Sequence, residues 1–289
     1  VLLLTGATGT VGAPLLRRIT AAGIPVRCLV RDPRRLGPER VRVQIALGDL
    51  SDHLSFRHAL RGVDTVVHLA AGVRDEPGAS IEETTAVATW RLVRAAERAG
   101  VERFIFFSIP GANPLSPSRL MRAKALAERT VVESDLRHTV FAPSLVYDLD
   151  DRYLTFLRRL ALAPVVPLPG GGEARFQPIW AEDVADCVLA ALRDERDGRF
   201  ELGGPEVLTG RQLVSLVLAE SRRERRLFPV PRRFARRLLE TLELLLGPQA
   251  PITWDEAELL TLTTLAASGT ADAESLGVTP GAMASVLGL

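Results

Sequence analysis

The chain of 289 residues has only two cysteines, Cys28 and Cys187, each inside an apolar stretch. Two thiols cannot form the framework of a disulfide scaffold, so both are expected to pack as small buried hydrophobes in a reducing compartment. No apolar run is long enough to cross a membrane as a helix, and the opening VLLLTGATG has neither a basic leader nor a cleavage signal. The expected location is therefore the cytoplasm, with the missing initiator methionine attributed to processing or trimming. An excess of charge is also lacking: 36 basic and 35 acidic residues leave a formal charge of +1. That balance removes any global electrostatic case for a nucleic-acid partner. Lysine is nearly absent, since 35 of the 36 basic residues are arginine and the one exception is Lys124. The four histidines, His53, His58, His68 and His138, form no ligand series with acids or cysteines, and no metal site is predicted.

What the chain does have is a regular alternation of apolar runs and amphipathic segments. Val1 to Thr5 is a short apolar run ending in glycine, and Val11 to Ala22 carries apolar residues at helical spacing. This is the pattern of a buried parallel strand, a tight turn and a helix. Further strands are predicted at Val26 to Val30, Val43 to Leu47, Asp64 to Leu69, Arg103 to Phe107 and His138 to Ala142. Helices are predicted at Glu82 to Ala99, closed by Gly100, and at Leu120 to Ser134, with a short one from Ser51 through Leu60. Strands alternating with helices of this length specify an α/β fold, a Rossmann-type doubly wound parallel sheet, over residues 1–145. Residues 146–289 read as a mixed α/β portion, in which 176–202 return to the core through a strand at Arg199 to Leu202. Most of a smaller lobe, placed over the carboxyl end of the sheet, then comes from 203–289. Pro164 to Gly172 reads as a proline- and glycine-rich stretch between helices at 150–163 and Ala181 to Leu192.

The segment Gly6-Ala7-Thr8-Gly9-Thr10-Val11-Gly12 lies between the first strand and its helix, where a dinucleotide pyrophosphate would sit on the helix N-terminus. Gly6 permits the turn, Gly9 lets backbone N–H groups approach the phosphates, and Gly12 allows close helix packing. The second strand ends Val30-Arg31-Asp32-Pro33, with Arg35 beyond. A cation there suits a 2′-phosphate, so Arg31, seconded by Arg35, favours NADP, while Asp32 keeps NAD open. Asp49 could accept the adenine amino group and Leu50 could pack on the ring, although Asp49 could equally cap the next helix. Ala70, Ala71 and Gly72 offer the small side chains that a backbone passing a nicotinamide ribose requires. His68 is expected to be a core imidazole.

These residues resemble the short-chain dehydrogenase/reductase superfamily, in particular its atypical NmrA-like members and the group containing the NAD(P)H-binding accessory subunit of respiratory complex I. The resemblance is carried by GATGTVG at 6–12, LVRDP at 29–33, GDL at 48–50, HLAAG at 68–72, AAERAGVERFIFFS at 95–108 and FQPIWAEDVAD at 176–186. Active members pair a serine after the fifth strand with Tyr-x-x-x-Lys on the following helix. The resemblance assigns Ser108 to the serine and Lys124 to the lysine, a clamp on the nicotinamide ribose, and brings Pro143 near the nicotinamide. The tyrosine position, however, is Leu120, which has no proton to exchange. Thr85 likewise stands where many relatives carry an asparagine. Tyr147, just beyond Pro143, is the nearest substitute donor, with packing or substrate contact as its plainer role.

Three functions are compatible with this pattern: an NADP-dependent reductase of an unidentified carbonyl or quinone-like substrate, a nucleotide-dependent sensor, and an assembly or structural subunit. Toward the carboxyl end, Arg222, Arg223, Arg225 and Arg226 precede a strand, and Arg232, Arg233, Arg236 and Arg237 open a helix running through Leu246. Phe234, Leu238, Leu242 and Leu245 share one face of it. The simpler expectation is that this face packs on its own domain. Contact with a protein partner, or peripherally with the inner face of a membrane, is the alternative.

Overall fold

The computed structural model describes residues 1–289 apart from 51, 53–57, 76, 77, 248, 249 and 251. The helix expected from Ser51 lies largely outside the described residues, as does His53. The central sheet is built from β1 (Leu2–Thr5), β2 (Val26–Val30), β3 (Gln44–Leu47), β4 (Thr65–His68), β5 (Arg103–Phe107), β6 (Arg137–Pro143) and β11 (Gly198–Leu202). All pairings in it are parallel, in the order β11-β6-β5-β4-β1-β2-β3. The strand order reverses between β1 and β4, which opens a crevice at their carboxyl ends, the position at which doubly wound sheets bind ligands.

Continuous apolar runs such as Leu2–Thr5 and Arg103–Phe107 are buried along their whole length because helices cover both faces. One face packs against α1 (Gly12–Ala21) and α5 (Ala181–Arg193), the other against α2 (Ala88–Ala99) and α3 (Arg119–Val132). Arg18 ties the first pair together, donating to Asp186 at 2.6 and 2.8 Å and also to Glu182. Cys28 and Cys187 are both buried on this side, and burial pushes each thiol up to about 12.

The remaining elements are β7 (Val146–Tyr147), α4 (Arg152–Leu160), β8 (Val165–Pro169), β9 (Arg175–Phe176), β10 (Ile179–Trp180), β12 (Leu208–Thr209), α6 (Gly210–Glu220), β13 (Arg226–Val230), α7 (Arg232–Leu246), α8 (Trp254–Leu259), α9 (Ala271–Ser275) and α10 (Met283–Val286). Thr209 caps α6 in a reciprocal capping box with Gln212. The proline-rich stretch contains a strand that sequence reasoning did not place: β8 pairs in parallel with β13, Pro167 opposite Phe228. A two-stranded ribbon leaves one edge of each strand unpaired, so proline is tolerated there. Val166 and Leu168 supply its buried face.

The expectation that α7 packs its apolar face on its own domain is overturned. Phe234, Leu238 and Leu245 are 51%, 61% and 75% exposed, and Ala235 alone is fully buried on this helix. The amphipathic pattern is present, but the packed side is the Ala235 side. Among the described residues, no helix is long and apolar enough to cross a membrane.

His68 shows how the core fixes a protonation state. The Thr89 hydroxyl donates to the Thr85 carbonyl at 2.6 Å, so at 3.0 Å from His68 Nε2 it accepts the ring N–H. Nδ1 then accepts from the Thr5 hydroxyl at 2.7 Å. Burial, reinforced by the nearby Lys124 charge, pulls the imidazole down to about 3. Between that value and its ordinary 6.5 the unfolded chain binds more protons than the folded one, so stability falls as pH drops below 6.5. Urea unfolding at pH 7 and pH 5 should show wild type losing about 2 kcal/mol more than His68→Gln. Parallel losses would show that the imidazole protonates freely in the fold.

Candidate nucleotide-binding site

The crevice at the sheet reversal is an open cleft at the carboxyl ends of β1, β2, β3 and β4. Thr5 to Thr8 form its floor, Leu29 to Asp32 and Arg35 line one wall, Gly48 to Leu50 close the far end, and Ala70 to Gly72 with Thr84 complete it. Of the residues expected to hold a cofactor, Gly6, Thr8, Arg31, Arg35, Asp49, Leu50, Ala70, Ala71 and Gly72 all meet here.

Close backbone approaches explain the glycines. Gly6 has φ +75°, and a Cβ on it would lie 2.7 Å from the Ala70 nitrogen. At Gly12 a Cβ would sit 2.0 Å from the Gly6 carbonyl oxygen, so only hydrogen lets α1 start this close to the turn. A Cβ on Gly9 would be 3.3 Å from the same oxygen, a milder contact. Among the described residues no side chain caps the N-terminus of α1, where Val11 holds the cap position. An open helix end beside a glycine cradle is the chemistry a pyrophosphate needs. Gly9, Thr10, Val11 and Gly12 shape this turn rather than the cleft wall.

At the end of β2, Asp32 Oδ1 accepts the Arg34 backbone N–H at 2.9 Å and caps the single-turn helices of Pro33–Val41. Arg31 stands 3.9 Å from Asp49 in an exposed ion pair across the cleft. Such a pair contributes little to stability. It does keep a guanidinium at the cleft wall.

Sequence reasoning missed Thr84. The helix expected from Glu82 is already helical at Ile81 and Glu82 and widens into a π-turn at Glu83–Val87 before continuing as α2, and both Thr84 and Thr85 lie against Gly72. A Cβ on Gly72 would lie 2.0 Å from the Thr84 hydroxyl oxygen, and Thr85 donates to the Gly72 carbonyl at 3.1 Å. Local widening of this kind recurs at functional sites. No periodicity in the sequence marks it.

The residues assigned to chemistry do not converge on the cleft. Leu120 is buried with Ile81 and Ala123, and Ile109 and Leu259 pack against them, so the carboxyl segment covers the position that the resemblance assigns to the tyrosine. Arg119 fastens this cover through Asp75 at 2.9 Å, Glu82 at 2.7 Å and Asp255 at 3.6 Å. Lys124 turns inward, donating to the Phe107 carbonyl at 2.5 Å with its ammonium 5.1 Å from the Phe106 ring centre. Burial pulls it down to about 8, against the raising influence of Glu128. The Ser108 hydroxyl is committed to Glu128, which also accepts from Arg199 at 2.8 Å.

The reading of Tyr147 as a substitute donor is corrected. It is fully buried in an apolar cluster with Leu154, Leu213 and Met283, outside the cleft lining, and its hydroxyl has no hydrogen-bond partner among the described residues. Burial raises its pKa, so the phenol holds its proton more tightly than usual. Pro143 also lies outside the lining, buried at the end of β6 in register with Leu202. Glu128 was not singled out from sequence, and its signal is slight: an acid one helical turn beyond the single lysine.

The close contact at Gly12 gives a direct test of the cradle. Gly12→Ala should destabilise by about 1–3 kcal/mol and abolish dinucleotide binding, whereas Gly9→Ala should cost less stability. Thermal melts and calorimetric titration check both. Wild-type behaviour of Gly12→Ala would refute the packing argument.

A match to the NAD(P)H-binding family spans residues 6–195. The chain is 30% identical over 226 residues to an Arabidopsis thaliana protein named NADH dehydrogenase (ubiquinone) 1 alpha subcomplex subunit 9, mitochondrial, covering 73% of this chain and 56% of that one. It is 29% identical over 225 residues to the NAD(P)H azoreductase of Xenophilus azovorans, covering 77% and 74%. The chain spans about half the length of several curated relatives that it matches. A nucleoside-diphosphate-sugar epimerase structure from Staphylococcus aureus superposes with a TM-score of 0.76 at 23% identity, covering 99% of both chains, and shares the fold. Glycine cradle, sheet order and family match agree: the chain belongs to the NAD(P)H-binding family, within the atypical short-chain dehydrogenase/reductase group, and carries its nicotinamide dinucleotide-binding domain.

Proposed function

We propose that this chain binds NADP in preference to NAD, and uses the bound nucleotide to stabilise a surface for a protein partner rather than for alcohol–carbonyl chemistry. The observation that carries this reading is the buried Leu120, covered by Ile109 and Leu259, with Lys124 turned away onto the Phe107 carbonyl. Bound NADPH would supply a hydride. A carbonyl acceptor would also need a proton at its oxygen, and Leu120, the committed Ser108 and the remote Tyr147 supply none.

The cradle of Gly6, Gly9 and Gly12 would hold the pyrophosphate, Leu50 would pack on the adenine, and Ala70 to Gly72 would leave room for the nicotinamide ribose. Arg31 and Arg35 on the cleft wall support the 2′-phosphate, and the capping duty of Asp32 weakens its case as a ribose acceptor. The partner reading is supported by the uncovered face of α7 and by the similarity to a protein named as a complex I subunit. Similarity to an azoreductase supports a second reading, reduction of an acceptor that takes its protons from water.

Calorimetric titration of the purified chain should give tighter binding of NADPH than of NADH. Arg31→Ala should remove that preference, at a cost of about tenfold to a hundredfold in NADPH affinity, while leaving NADH nearly unchanged. Equal losses for the two nucleotides would assign Arg31 to folding or to the shared adenosine contacts, and overturn the NADP preference.

A further inference from the structure

Arg119 joins three parts of the chain that are distant in sequence. From the start of α3 it grips Asp75 through two hydrogen bonds, at 2.9 and 3.0 Å, and Glu82 through two more, at 3.0 and 2.7 Å. Its guanidinium also lies 3.6 Å from Asp255, in the first turn of α8. Two-pronged contacts of this kind fix a geometry, which a single exposed ion pair does not. Hydrogen bonding to Arg119 holds both Asp75 and Glu82 below the usual carboxylate range, so the grip is fully formed at neutral pH.

One end of this network borders the nucleotide cleft. Gly72 and Thr84 line the cleft, and Asp75 ties the stretch between them back on itself by accepting the Ile81 backbone N–H at 2.8 Å. The other end holds α8. Arg74 donates to the Ala250 carbonyl at 3.3 Å, and Leu259 packs on Ile81 and Leu120. α8 in turn lies against α7: the Arg236 guanidinium is 6.0 Å from the Trp254 ring centre, and Arg232 donates to the Thr261 carbonyl just beyond α8 at 2.6 Å. Since Ala235 alone is fully buried on α7, that helix has few contacts of its own, and its order depends on what α8 offers it.

We infer that Arg119 is a positioning residue that couples nucleotide occupancy to the order of the α7 face, through Asp75 and Glu82 on the cleft side and Asp255 on α8. The inference rests on the reading of a nucleotide-stabilised partner surface and supplies its route. A dinucleotide seated against Gly72 and Thr84 favours the arrangement in which the stretch between them is closed. Arg119 then holds α8 in place, and local opening of α8 and α7 becomes rarer by the factor through which that opening would weaken the nucleotide. An occupied cleft presents Phe234, Leu238 and Leu245 on a fixed helix, and an empty one presents them on a helix that opens more often.

Hydrogen–deuterium exchange of the full chain, with and without saturating NADPH, tests the coupling. In wild type, NADPH should slow amide exchange at the start of α1 and also, by about fivefold or more, over 232–246 and 254–259. Arg119→Met should keep the slowing at α1 and lose it over 232–246 and 254–259. Asp255→Asn leaves the Arg119 contacts to Asp75 and Glu82 in place, and keeps the test open should Arg119→Met fail to fold. It should retain the slowing over 80–84 and lose most of it over 232–246. A merely structural role for Arg119 would change exchange equally with and without NADPH, and would not move this difference. Slowing at α1 with none over 232–246 in wild type, or undiminished slowing there in the variants, would overturn the inference while leaving nucleotide binding intact. No slowing at α1 or elsewhere would overturn the nucleotide reading itself, and this inference with it.

Discussion

The site depends on one close approach: the start of α1 lies so near the β1 turn that a single methyl group at Gly12 would overlap the Gly6 carbonyl. That contact sets where the helix end points and how far the turn rises above the sheet. Gly6 in turn lies against the backbone of Ala70, so the ends of β1 and β4 are held together at the point where strand order reverses. The cleft is the space these two contacts leave open. The same geometry explains why its floor is glycine, alanine and threonine, with the larger side chains held on the walls.

A second constraint works in the opposite direction, away from chemistry. Lys124 spends its ammonium on the Phe107 carbonyl beside Phe106, and the resulting desolvation is severe enough to bring its pKa down to about 8. One turn earlier, Leu120 is covered by Ile109 and the carboxyl segment through Leu259, which Arg119 anchors to carboxylates on two separate segments. In an active relative this helix would present a phenol and an ammonium to the nicotinamide. Here its first two turns contribute packing and anchorage instead.

Much of the fold was legible because it depends on local pattern. The runs at Val26–Val30 and Arg103–Phe107 are strands over the predicted residues, and the glycine turn has its predicted close packing at Gly12. Features created by tertiary contact were not legible. β8 is a strand because β13 lies beside it, although its own prolines argue against one. The π-turn places Thr84 on Gly72 for a reason that belongs to the partner backbone rather than to the helix sequence. The commitment of Ser108 to Glu128, with Arg199 arriving from β11, joins three elements that no spacing rule connects. For α7 the sequence marks an apolar face, but whether anything covers that face is decided by the rest of the molecule.

The central claim is that the chain holds a nicotinamide dinucleotide without an alcohol–carbonyl proton-transfer apparatus, and single-turnover kinetics test it most directly. NADPH would be mixed with protein in excess of its dissociation constant, then with simple aldehydes and ketones, and cofactor absorbance followed. The account predicts saturable binding, seen as a change in NADPH fluorescence, with oxidation no faster than for free NADPH under the same conditions. Rapid carbonyl-dependent oxidation of the bound nucleotide would contradict it.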